Sequence, residues 1–142
     1  MANEFFSYSR RVNFAETDAA GIAHFSNFPR WVEEAELAFW RERGFVLPKL
    51  AEGCLEGFPK VSFSIRHRSP VRFGDLLEVA LTPACPSASA IEWAFRIRRE
   101  GALCASGTMV VVFASGNPLL GELRSRTLPV EMEKLLRIPS GE

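Results

Sequence analysis

The chain reads as an α+β protein in which an antiparallel sheet of about five strands is wrapped on one long central helix. Three observations carry this reading. A single helical stretch, 28–43, places Phe28, Trp31, Val32, Ala35, Ala38 and Phe39 at spacings of three and four. One alternating run precedes it and four strand-like runs follow it, separated by turn residues and not by further helices. The length of 142 residues suits one domain with one core, so 1–142 is read as a single domain.

The first strand is expected over 8–14, where Tyr8, Arg10, Val12 and Phe14 alternate with Ser9, Arg11 and Asn13. It runs directly into Glu16-Thr17-Asp18. In the helix, Leu37 and Trp40 widen the apolar stripe, and Pro29 is tolerated only in a first turn, so the helix must open beside it. Ser26 or Asn27 is expected to cap the free N–H groups, and Gly44 to end the helix. Glu33, Glu34 and Glu36 are expected to mark its wetter face. The segment 47–59 holds Pro48, Gly53, Gly57 and Pro59 and reads as a loop around one helical turn, a lid or pocket rim.

Four strands are then expected at 60–69, 76–83, 90–99 and 103–114, broken at Gly74-Asp75, 83–89 and Glu100-Gly101. The run Thr108-Met109-Val110-Val111-Val112-Phe113 is nearly all apolar, as in a central strand covered on both faces. Pro118, Gly121 and Pro129 punctuate the tail before a short helix at 130–136.

Lysine plus arginine and aspartate plus glutamate each number 17, so composition carries no signature of a nucleic-acid or membrane-surface protein. Cys54, Cys85 and Cys104 are odd in number and form no CxxC pair, which argues against a disulfide framework and a zinc ribbon. They are expected as buried small hydrophobes in a reducing compartment. The opening residues 1–6 lack a basic and then apolar leader pattern, and no stretch approaches the ~18 apolar residues of a membrane helix. A soluble cytoplasmic protein is expected. With two histidines and no acids clustered near them, no metal site is expected.

The stretch Glu16 to Trp31 concentrates the chemistry. Asp18, Gly21 and His24 precede the helix opening, where amide N–H groups can hold an oxygen while a carboxylate delivers or activates a nucleophile. Taken alone, Asp18 reads as an Asx turn or helix cap. Gly21 reads equally as a turn glycine or as a close-approach position. His24 is a candidate for contact with substrate or water, whereas His67, alternating with Phe63 and Ile65, reads as a packed or edge histidine. Trp31, Trp40, Phe45 and Phe58 read as core more readily than as a ligand pocket.

Beyond these residue-level readings, the chain resembles the hotdog-fold superfamily, and within it the acyl-CoA thioesterases of the 4-hydroxybenzoyl-CoA thioesterase type. The likeness rests on Arg11-Val12-Asn13-Phe14, Thr17-Asp18-Ala19-Ala20-Gly21-Ile22, Phe25-Ser26-Asn27-Phe28 and Arg30-Trp31, and on Ser69-Pro70-Val71-Arg72-Phe73-Gly74-Asp75. The resemblance implies that Asp18 is the catalytic carboxylate and that the Phe25 N–H faces the thioester oxygen. Gly21, Ile22 and Asn27 then fall among substrate-binding positions. It further implies an acyl-CoA substrate, no separate cofactor because coenzyme A is part of that substrate, and a homodimer or homotetramer with the site between subunits. His24 stands where relatives often carry Trp, Tyr or Asn, and Pro70 replaces a hydroxyl residue. Asp18 either attacks the carbonyl or activates water; both routes stay open. A hotdog dehydratase or hydratase, and a non-catalytic acyl-CoA binding domain, are the alternatives.

Overall fold

The computed structural model describes residues 4–139; residues 1–3 and 140–142, the two ends of the stretch read as a single domain, lie outside the described residues. Strand β1 (Phe6–Arg11) leads through a 3-10 turn at Phe14–Glu16 to helix α1 (Asn27–Glu42). β2 (Lys49–Ala51), β3 (Cys54–Gly57), β4 (Lys60–His67) and β5 (Leu76–Ala84) follow. β6 (Ala90–Arg99), β7 (Ala102–Val112), β8 (Ala114–Gly116), β9 (Arg124–Ser125) and α2 (Val130–Leu135) complete the order.

Five strands form an antiparallel sheet in the order β1-β5-β6-β7-β4, and α1 lies across it as expected. The alternation of β6 sends Ile91, Trp93, Phe95 and Ile97 inward and leaves Glu92, Ala94 and Arg96 outside. From α1 come Trp31, Val32, Ala35, Phe39 and Trp40, all fully buried. Their rings interlock edge to face, with Phe39 5.4 Å from Phe6 and 5.2 Å from Trp93. Gly107 in β7 is needed for this packing, because a Cβ there would lie 1.9 Å from the Ser64 carbonyl oxygen and 2.9 Å from the Phe95 ring.

Several expectations are corrected. β1 ends at Arg11, not Phe14, because the Val12 N–H bonds the Asp75 carbonyl and the next residues wind into the 3-10 turn. Segment 47–59 contains no helical turn; β2 and β3 form a hairpin in a second sheet ordered β2-β3-β8-β9. Its flank Phe58 stacks on Trp40 near the C-terminal end of α1, the end away from the Asp18 loop, so it does not cover that loop. In β7, Met109 and Val111 are buried but Val110 and Val112 only half-buried, so one sheet face alone is fully covered. Cys104 is buried, whereas Cys54 and Cys85 are exposed.

Glu36 is the largest departure. It is fully buried, not on a wet face, because it follows Val32 by four residues and precedes Phe39 by three, inside the apolar stripe. Lys60 reaches it from the start of β4, with Nζ 2.7 Å from Oε1. Burial pushes the Glu36 carboxyl above the ordinary range, and the Lys60 charge works against that rise. No helix of the described residues is long and apolar enough to cross a membrane.

Candidate active site

The site is built where β1 hands the chain to α1. Thr17 and Ala23 pair across a short loop, and the Asp18 N–H donates to the Ile22 carbonyl at 2.9 Å. At the tip the Gly21 N–H donates to the Asp18 carbonyl at 2.9 Å, with Gly21 at φ +80°, a left-handed conformation that glycine adopts without strain. An added Cβ at Gly21 would meet nothing within 4 Å, so conformation and not intramolecular crowding explains the glycine. The Ala20 N–H donates to Asp18 Oδ1 at 2.8 Å. The Asx turn is therefore real, and the same exposed carboxylate also borders a cleft.

Two main-chain contacts moor this loop to the segment after β4. Ile22 pairs with Arg72, and the Ala23 N–H donates to the Val71 carbonyl at 2.7 Å. That segment is itself held by Asp75, whose Oδ2 accepts from the Arg72 N–H at 2.8 Å and from Arg99 at 3.1 Å.

The helix opening differs from expectation in its capping. Ser26 takes the N-cap position without a side-chain hydrogen bond to the helix. Asn27, expected to touch substrate, is buried, and its amide donates to the Glu16 carbonyl at 2.8 Å and the His24 carbonyl at 3.1 Å. It braces the turn and is not among the cleft-lining residues. The Phe25 N–H has no acceptor among the described residues, while its neighbours at 24 and 27 donate to the Glu16 and His24 carbonyls. An unpaired amide at a helix opening is suited to holding an oxygen that gains negative charge.

A cleft of about 560 Å³ joins these groups. One wall is Asp18, Ile22, Ala23, His24, Phe25 and Phe28; the other is His67, Arg68, Ser69, Pro70 and Val71. His24 Nδ1 lies 2.8 Å from Ser26 Oγ and accepts from the Ser26 N–H at 3.3 Å. The His24 ring lies 4.7 Å from that of Phe25. His67, read from its alternation as a packed or edge residue, closes β4 at the cleft with its ring edge-on to Phe28 at 4.7 Å. A signal for it existed, since Pro70, which has no N–H to continue a strand ladder, marks a strand end shortly after His67.

Comparison with known proteins agrees with this architecture, which is the hotdog fold. A stretch of 76 residues is 41% identical to a protein of Aquifex aeolicus (strain VF5) named provisionally as an esterase, covering 54% of this chain and 59% of that protein. A 1,4-dihydroxy-2-naphthoyl-CoA hydrolase of Synechococcus sp. (strain CC9311) is 29% identical over 106 residues, 70% of each chain. The solved structure of a gentisyl-coenzyme A thioesterase superposes with a TM-score of 0.78 at 27% identity, covering 89% of this chain and 98% of that one. The family model described as the thioesterase-like superfamily matches residues 12–133, and the chain belongs to that superfamily.

Proposed function

We propose that this protein hydrolyses an acyl- or aroyl-CoA thioester, with Asp18 as the catalytic carboxylate and the Phe25 N–H as the oxyanion donor. The observation that carries the reading is that one cleft is lined both by Asp18, whose carboxylate is exposed, and by Phe25, whose N–H has no acceptor among the described residues. Thioester hydrolysis is the class of reaction that the family description and the names of the CoA-hydrolysing relatives support.

In the proposed reaction the thioester oxygen docks on the Phe25 N–H, which stabilises the negative charge that builds as the carbonyl is attacked. Asp18 supplies the attack, either directly, forming an anhydride that water then opens, or by taking a proton from water. The C–S bond breaks and coenzyme A leaves as a thiolate; a thiol pKa of about 8.5 makes this departure feasible without a strong acid. The products are the carboxylic acid and free coenzyme A, and no further cofactor enters. The exposed Asp18 of a single chain gains a drier setting when a second chain closes over the cleft, which is why a homodimer or homotetramer is part of the proposal.

The test is thiol release from a panel of short aliphatic, long aliphatic and aromatic CoA thioesters, followed with a thiol-reactive dye. Asp18→Asn is expected to lower kcat by about 10³ or more with the fold intact. Equal turnover by the variant would remove Asp18 from the chemistry. Hydration of an enoyl-CoA without thiol release would identify a hydratase instead, and saturable binding without turnover would identify a binding domain.

A further inference from the structure

Glu16, at the end of the 3-10 turn where the Asp18 loop begins, makes contacts that the proposed reaction leaves unused. Its carboxylate is surrounded by donors only. Oε1 accepts from the Asn13 N–H at 2.8 Å and from Arg10 Nη1, and Oε2 accepts from the Trp31 indole at 2.9 Å. Burial alone would raise this carboxyl, but the Asn13, Trp31 and Arg10 hydrogen bonds together hold it below the ordinary range. Arg10 is held in turn by Glu34, at 3.0 Å from Nε and 3.3 Å from Nη2, and its guanidinium lies 5.1 Å from the Trp31 ring centre. One side chain thus ties β1, the 3-10 turn and α1 together.

The main chain of the same residue does the rest. The Glu16 carbonyl accepts from the His24 N–H at 2.9 Å and from the Asn27 amide at 2.8 Å, the residues on either side of Phe25 and Ser26. Two residues further along from Glu16 is Asp18. Glu16 therefore links the start of the loop that carries Asp18 to the turn that carries the Phe25 N–H, alongside the Asp18–Ile22 hydrogen bond and the Thr17–Ala23 pair. Reacting groups must be held within about 0.5 Å of productive geometry, and a misplacement of about 1 Å can cost 10²-fold in rate.

We infer that Glu16 is a positioning residue, an ionised clamp that sets the distance between the Asp18 carboxylate and the Phe25 amide. This rests on the catalytic reading of Asp18. A carboxylate is required because three donors face it: the amide of Gln would turn an NH₂ group toward Arg10 or the Trp31 indole.

The experiment compares wild type with Glu16→Gln by kinetics on the best thioester of the panel and by the ¹H–¹⁵N resonances of Phe25 and Ala20. The expected result is a kcat lower by about 10² with KM unchanged, and displaced Phe25 and Ala20 resonances in a protein that otherwise keeps its spectrum. A folded Glu16→Gln variant with wild-type kcat, or with both resonances unmoved, overturns the inference. If that variant does not fold, Trp31→Phe replaces it, since it removes one donor and keeps the ring; a lower kcat at unchanged KM supports the clamp, and wild-type kcat overturns it. Should wild type release no thiol from any thioester, the hydrolase reading fails on that result alone, and the resonances of Phe25 and Ala20 still decide whether Glu16 positions the loop.

Discussion

Asp18 carries a structural and a chemical reading at once. Its Oδ1 closes the turn through the Ala20 N–H, while Oδ2 has no partner among the described residues and the residue lines the cleft. The turn depends on Gly21, at φ +80°. Gly21→Ala is expected to destabilise the fold by about 1–2 kcal/mol through left-handed strain alone, since the methyl meets no neighbour. Urea unfolding measures this, and unchanged stability would contradict the strain argument. At this scale the sequence showed the carboxylate and the glycine within one short run, and the family resemblance pointed to the Phe25 amide, which the structure leaves without an acceptor among the described residues. The sequence did not show His67, which arrives on the cleft from another strand, or the role of Asn27, whose amide is directed by carbonyls of the folded loop.

Helix α1 and strand β4 are joined by a charge pair that single-element patterns conceal. Glu36 has a side chain with 0% exposure, and Lys60 keeps 29%. Lys60→Met leaves the carboxyl buried without its counter-charge, and a loss of about 3 kcal/mol is expected, at the low end for a broken buried pair because Glu36 can take up a proton. Glu36 already has a raised folded-state pKa, so the unfolded chain releases its proton first and stability declines as pH rises from the ordinary carboxylate range toward the folded value. Without Lys60 that window extends upward. The variant's deficit is therefore expected to be larger near about pH 8 than near about pH 5, and urea unfolding at both values checks it; equal deficits would show that Glu36 does not titrate in this way. The helical period placed Glu36 on the inner stripe, but its charge and two glutamate neighbours suggested an outer face. Only the approach of Lys60 from a strand 24 residues away reconciles the two.

For the whole molecule, the sheet ends on β4, which pairs with β7 on one side only. An open eight-residue edge beside a cleft that borders His67 is the kind of edge that proteins cover by pairing. A dimer or tetramer mass by light scattering is expected, and a monomer mass at every concentration would count against the shared-site proposal. The sequence by itself determined the α+β class, the single long helix, the four following strands and the stretch that holds Asp18 and Phe25. These are local: periodicity, turn chemistry and spacing are written along the chain. The tertiary structure alone decided the second sheet, the pairing of Glu36 with Lys60, the second cleft wall and the clamp around Glu16. Each of these joins residues distant in sequence, and a buried charge, a cleft wall or a hydrogen-bond clamp exists only once the folded backbone has brought donor and acceptor together.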